Sequence, residues 1–176
     1  MRATLGLAAL LSTIGVSCSG SRPAEPIGVS HERQLITFSF DSLDARPVSS
    51  EASRGKLTVV AFVATWDMLS QAQADFLSAM IKTDGDKNVY YVVALDDRNN
   101  RELVEAFATT LHLECPIALG DADTVAGRGP FGEVAVPTVV LLDPEGREAW
   151  RKIGLAKSDE LRQVMASIER ANAFGK

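Results

Sequence analysis

From Leu35 onward the chain alternates: Ile36, Phe38 and Phe40 share one side and Thr37, Ser39 and Asp41 the other, the two-residue period of a half-buried strand. A turn follows at Asp44-Ala45-Arg46-Pro47. Residues 57–64, L-T-V-V-A-F-V-A, form a nearly unbroken β-branched and aromatic run, as expected of a central strand covered on both faces. The period then changes. Leu69, Ala72, Phe76, Leu77 and Met80 recur at helical spacing behind Asp67, a preferred N-cap, and predict a helix to about Ile81.

Residues 89–95, V-Y-Y-V-V-A-L, read as a second buried strand ended by Asp96-Asp97. Leu103, Phe107 and Leu111 repeat every four residues and predict a helix stopping near His112, with a short strand at 117–119 after Pro116. The stretch 127–132, G-R-G-P-F-G, holds too much Gly and Pro for a regular element and reads as a loop. Residues 139–142 make another strand, Asp143-Pro144-Glu145-Gly146 a tight turn, and 148–153 the hairpin partner. Ser158 is placed as the cap of a last helix with Leu161, Val164, Met165 and Ile168 on its apolar face. A strand-helix-strand start requires parallel pairing through a helical crossover, and the late hairpin adds antiparallel strands. The expected class is therefore α/β, with a mixed central sheet sandwiched by helices.

The first residues follow a different pattern. Met1-Arg2 supplies a positive end, residues 3–16 are almost wholly apolar or small, and Ser17-Cys18-Ser19-Gly20 follow, which is the arrangement of a secretory signal. The apolar run is shorter than the ~20 residues that a spanning helix requires. Residues 1–17 are accordingly read as a signal peptide, 18–34 as a lipid-anchor site and a Ser/Gly/Pro-rich flexible tether, and 35–176 as the domain. Cys18 resembles the cysteine of bacterial lipoprotein signals, although Gly15 stands where that pattern prefers Leu, Val or Ile. The alternative is an ordinary signal cut elsewhere, with Cys18 incidental.

Composition narrows the partners and the redox chemistry. The 176 residues are 46% hydrophobic with a formal charge of −5, and Lys and Arg are scattered, so no footprint for a nucleic-acid backbone exists. Of the two cysteines, one is Cys18; with that one used as an anchor, Cys115 has no intramolecular partner.

Four stretches together, F-S-F-D-S-L-D-A-R-P-V at 38–48, G-K-L-T-V-V-A-F-V-A-T-W at 55–66, V-A-V-P-T-V-V-L-L-D-P-E-G-R at 134–147 and W-R-K-I-G at 150–154, resemble the TlpA-like and redoxin group of bacterial extracytoplasmic thioredoxin-fold proteins. The resemblance implies a thioredoxin-like fold with a cis Val136-Pro137 bond facing the site. It also implies an exported protein on the periplasmic side of a bacterial envelope, where Ser19 after the anchor cysteine favours the outer membrane.

The departure lies at the catalytic motif. Reductases of this family carry Cys-x-x-Cys after A-T-W, whereas this chain carries Asp67-Met68-Leu69-Ser70. Thiol-disulfide exchange needs one sulfur to attack and a second to resolve the mixed disulfide, and neither Asp nor Ser does this. A helix N-terminus favours an anion, so an aspartate keeps the local electrostatics that a thiolate would have used. The plain reading is a capped helix with Ser70 in its first turn. The sharper one is a binding face of Trp66, Asp67, Met68, Ser70, Val136 and Pro137, holding an extended envelope protein or peptide as thioredoxin-like proteins do, with no thiol needed.

The expected role is thus non-catalytic partner binding, with no cofactor. A thiol-disulfide oxidoreductase or antioxidant activity through Cys115 and an external thiol is the alternative. Cys115, in L-H-L-E-C-P-I-A-L, reads either as a small core residue or as that monothiol, and it is not at the first helix where peroxiredoxin relatives place theirs. His112, Cys115, His31, Met68 and Met80 suggest a metal site only by assembly from afar. The Cys pair that the Sco-type copper proteins of similar fold require is missing, and no metal is expected.

Overall fold

The computed structural model of the protein describes residues 34–174. Of the signal, anchor and tether assigned to 1–34, all but Gln34 lie outside the described residues, Cys18 and His31 among them. In chain order the elements are β1 (Ser39–Ser42), β2 (Val48–Ser49), β3 (Thr58–Val63), α1 (Met68–Asp84), β4 (Val89–Ala94), α2 (Arg101–Thr110), β5 (Ile117–Leu119), α3 (Ala122–Val125), β6 (Thr138–Leu142), β7 (Glu148–Ile153) and α4 (Ser158–Phe174), with single 3-10 turns at Gly85–Lys87 and Arg98–Asn100.

Seven strands form one sheet in the order β2-β1-β5-β4-β3-β6-β7. β3 is parallel to β4 and β4 to β5, as the helical crossovers require, while β6 runs antiparallel to β3 and β7 to β6. Every residue of β3 is buried, because it has a strand on each side and packing on both faces. The mixed sheet expected from the sequence is present, but its helical cover is uneven. One face, with Val59, Ala61, Val63, Val92 and Leu141, packs against Leu77 and Met80 of α1, Val104 and Phe107 of α2, and Leu161, Met165 and Ile168 of α4. The opposite face, with Val60, Phe62, Tyr91, Val93 and Val140, is covered by Ile36, Phe38, Phe40, Val48 and Phe131.

The alternation read from Leu35 is the key to this second face. Ile36, Phe38 and Phe40 are buried and Thr37, Ser39 and Asp41 exposed, although only the last part of the segment is ladder-paired strand. Leu35 bridges Arg147 and the Glu148 N–H donates to the Gln34 carbonyl, so the chain enters beside the β6–β7 turn. From there it crosses the sheet to pair Asp41 with Leu119. Phe131, from the Gly/Pro loop, sits 5.2 Å from the Phe38 ring and 5.0 Å from that of Phe62, closing an aromatic cluster.

The helices depart from the sequence reading in their details. α1 runs past Ile81 to Asp84, where Gly85 at φ 55 donates its N–H back to the Ile81 carbonyl. The buried residues of α1 are Ser70, Gln73, Ala74, Leu77, Ser78 and Met80, while Leu69 is exposed and Ala72 and Phe76 only partly covered. Gln73 is buried because its amide clasps the Ala156 backbone, donating from Nε2 to the carbonyl (3.1 Å) and accepting the N–H at Oε1 (2.7 Å). Asp84 accepts hydrogen bonds from the Tyr90 hydroxyl, Asn88 Nδ2 and Arg162, joining α1 to β4 and α4. Ser158 is the first helical residue of α4 rather than its cap, since the Leu161 N–H reaches the Lys157 carbonyl. β2 and α3 are too short for any periodicity to announce them.

Candidate functional site

The site forms where β3 hands over to α1. After Val63 the chain is pinned to the end of β4: the Thr65 N–H donates to Asp96 Oδ2 (3.0 Å) and the Thr65 hydroxyl to Oδ1 (2.5 Å). Asp96 is itself buried, so this charge-assisted pair holds the loop firmly. The Asp67 N–H then bonds the Ala64 carbonyl (3.2 Å), and Asp67 caps the helix by accepting the Ser70 N–H at Oδ2 (2.7 Å). Ser70 completes a closed circuit, its Oγ accepting the Ala64 N–H (3.1 Å).

This circuit separates the residues proposed from sequence into two kinds. Trp66 is 72% exposed and Met68 81%, and Asp67 lies between them partly exposed. Ser70 does not join them: it is fully buried, with its hydroxyl spent on the backbone, and so is removed from the exposed face. The β3–β6 register pairs Phe62 with Thr138, which brings the cis Val136-Pro137 bond to the same sheet edge as the Ala64–Asp67 turn. Val136 is partly exposed, whereas Pro137 is buried with its carbonyl accepting the Gly154 N–H (2.7 Å).

The loop leading into that bond is held from below. Arg151 donates to the carbonyls of Phe131 (2.8 Å) and Glu133 (3.3 Å) while paired with Glu148 (2.7 Å), and the Thr138 hydroxyl donates to the Ala135 carbonyl (2.6 Å). Asp96, Gln73, Phe131 and Arg151 were not singled out from the sequence as shaping this region. Only Asp96 offered a signal, as a carboxylate closing a buried strand.

Cys115 lies elsewhere. It precedes β5, whose Ile117 registers with Val92, whereas the site sits beyond the other end of the parallel strands at Val63 and Ala94. The residue is 4% exposed within the helical-face core, its carbonyl accepting from Arg46 (3.1 Å). Burial pushes its thiol up to about 12, against the opposing pull of the Arg46 charge. Among the described residues it is a free thiol, with no second cysteine to pair with. His112 follows α2 just past its Leu111 cap at φ 51, with its carbonyl accepting the Ser78 hydroxyl (3.1 Å). Among the described residues no group of His, Cys, Asp and Glu side chains is arranged to hold a metal ion, and no helix is long and apolar enough to cross a membrane.

Comparison with known proteins gives a consistent fold. No protein-family model matches the chain. A thioredoxin-like protein of Bacillus subtilis strain 168, YneN, is 25% identical over 140 residues, covering 79% of this chain and 81% of its own. Among solved structures, a DsbF homologue from Corynebacterium diphtheriae superposes with a TM-score of 0.69 at 21% identity, over 78% of this chain and 88% of that one. A secreted thiol-disulfide isomerase from Corynebacterium glutamicum gives 0.66 at 17% identity, over 77% and 84%. The mixed sheet with its helices and these superpositions show that the chain has a thioredoxin-like fold.

Proposed function

We propose that this protein binds an envelope protein or peptide without thiol chemistry, through the face made by Trp66, Asp67 and Met68 beside Val136-Pro137. The observation that carries the reading is the turn itself. It presents a large aromatic and a large thioether to solvent, at the place where the relatives of the resemblance carry a dithiol, while its Asp and Ser are locked into a structural circuit. Exposed apolar side chains grouped at a sheet edge mark an interaction surface. A disulfide exchange reaction has no nucleophile there.

The same proposal includes export and anchoring. Residues 1–17 act as a signal, Cys18 carries lipid, and the domain works in the bacterial envelope, on the periplasmic side of the outer membrane. That structural neighbours are described as secreted supports the export part of this reading. An anchor upstream of Gln34 leaves the Trp66 face at the far end of the domain, because Gln34 sits by the β6–β7 turn and the site by the start of β6.

The test is a complementation series in a deletion strain, with insulin reduction measured on the purified protein. Dithiothreitol-dependent reduction is absent, Cys115→Ser restores the wild-type phenotype, and Trp66→Ala does not. A folded Cys115→Ser protein that fails to complement overturns the reading. Palmitate labelling that persists in Cys18→Ser overturns the anchor alone.

A further inference from the structure

α1 and α2 lie side by side on one face of the sheet, both leading away from the site edge. Between them is a cavity of about 250 Å³ lined by Thr65, Gln71, Leu103, Ala106, Phe107 and Leu111. Phe107 forms part of the core below it, and Leu103 is 52% exposed. Thr65 and Gln71 tie the mouth of the groove to the turn that carries Trp66 and Met68, and Gln71 Nε2 donates to the Thr65 carbonyl (3.3 Å).

Carboxylates flank this groove. Asp67 stands at the mouth, Asp75 one turn beyond Gln71 on α1, and Glu102 one turn before Ala106 on α2. Among the described residues neither Asp75 nor Glu102 has an ion-pair partner, and no Lys or Arg lines the groove. The nearby Arg101 is engaged by Glu105 (3.0 Å) and the Leu43 carbonyl (2.7 Å).

We propose that this groove takes a basic amphipathic helix of a partner protein, its apolar face on Leu103, Phe107 and Leu111 and its Lys or Arg side chains against Asp67, Asp75 and Glu102. The form of the occupant follows from the walls. Two helices offer side chains but no open backbone edge, so a bound segment gains no main-chain pairing from the walls, and a helix, which satisfies its own N–H and C=O groups, suits them. The inference rests on the thiol-independent binding reading and gives its partner a chemistry.

The experiment titrates purified protein with fluorescein-labelled synthetic peptides: an amphipathic Leu/Lys helix, a Ser/Lys peptide of equal charge and a Leu/Glu helix of equal pattern, with amide shifts followed by NMR. The Leu/Lys helix binds at least about tenfold more tightly than either control, roughly 1.4 kcal/mol. Its shifts fall on Gln71 and on residues 103–111. Leu103→Asp, and Ala106→Phe, which fills the groove without adding charge, each weaken binding about tenfold or more. The double variant Asp75→Lys with Glu102→Lys transfers the preference to the Leu/Glu helix. Equal binding of the Leu/Lys and Ser/Lys peptides overturns the proposal, as does indifference to both groove variants. Shifts confined to residues 66–68 and 136 also overturn it, but leave the binding face at the turn intact.

Discussion

The reactivity of Cys115 separates the two classes of function, and its magnitude follows from burial. With the thiol pushed up to about 12, roughly one molecule in 10⁴ carries a thiolate at pH 8, against about a quarter of molecules for an unperturbed cysteine near 8.5. The folded protein should therefore react with iodoacetamide on the order of 10³-fold more slowly than the urea-unfolded chain, before steric exclusion is added. The assay follows adduct formation by mass spectrometry at a series of pH values and urea concentrations. Protection is expected to vanish through the unfolding transition and nowhere earlier, because the sulfur sits among the apolar side chains of the helical face. Protection below about tenfold, or a reactivity midpoint under ~8.5, means that some group stabilises the anion, and the reasoning from burial then fails. That result favours a monothiol oxidoreductase.

Three further measurements probe what holds the site. Gln73→Ala leaves the N–H and C=O of fully buried Ala156 without partners, so urea denaturation should show a loss of about 2–5 kcal/mol, and less than about 1 refutes the clasp. Phe131→Ala removes the ring shared by Phe38, Phe40 and Phe62 and should cost about 3–5 kcal/mol, read from the same denaturation curve. Burial raises the Asp84 pKa, but hydrogen bonds from Tyr90, Arg162 and Asn88 outweigh it and hold the carboxyl below its usual range. The contribution of Asp84 is therefore complete above the unfolded value of ~3.9 and is lost as pH falls through the folded one. Wild-type protein should shed stability over that interval more steeply than Asp84→Asn, and parallel pH profiles refute the assignment.

The sequence made β3, β4, β5, β6 and β7 legible because each buries an apolar run whose period or turn residues are local. Asp67 was legible for the same reason, since an N-cap is decided within one turn. The orientation of α1 was not. Leu69 is more apolar than Gln73, yet Gln73 faces inward, because its amide meets a backbone group 83 residues away that no window contains. Ser70 looked like a polar residue of an exposed turn and is instead a buried acceptor for Ala64. Phe131 looked like part of a loop, which it is, but its ring is a core residue supplied from outside the regular elements. The groove between α1 and α2 was equally hidden, since Leu103 read as part of a buried stripe and lies half in solvent.

The aromatic cluster on the face away from the long helices also orders the folding reaction. Phe38 and Phe40 come from the start of the domain, Phe62 from β3 and Phe131 from the loop before β6, some ninety residues after the first two. Local helix formation and the β3-α1-β4 unit can assemble from neighbouring residues, but this face closes only after the chain has been delivered through Phe131. Until then Ile36, Phe38 and Phe40, packed on the sheet face of Phe62 and Tyr91, stay partly uncovered on the nascent chain, and the N-terminal segment of the domain is among the last to be fully enclosed.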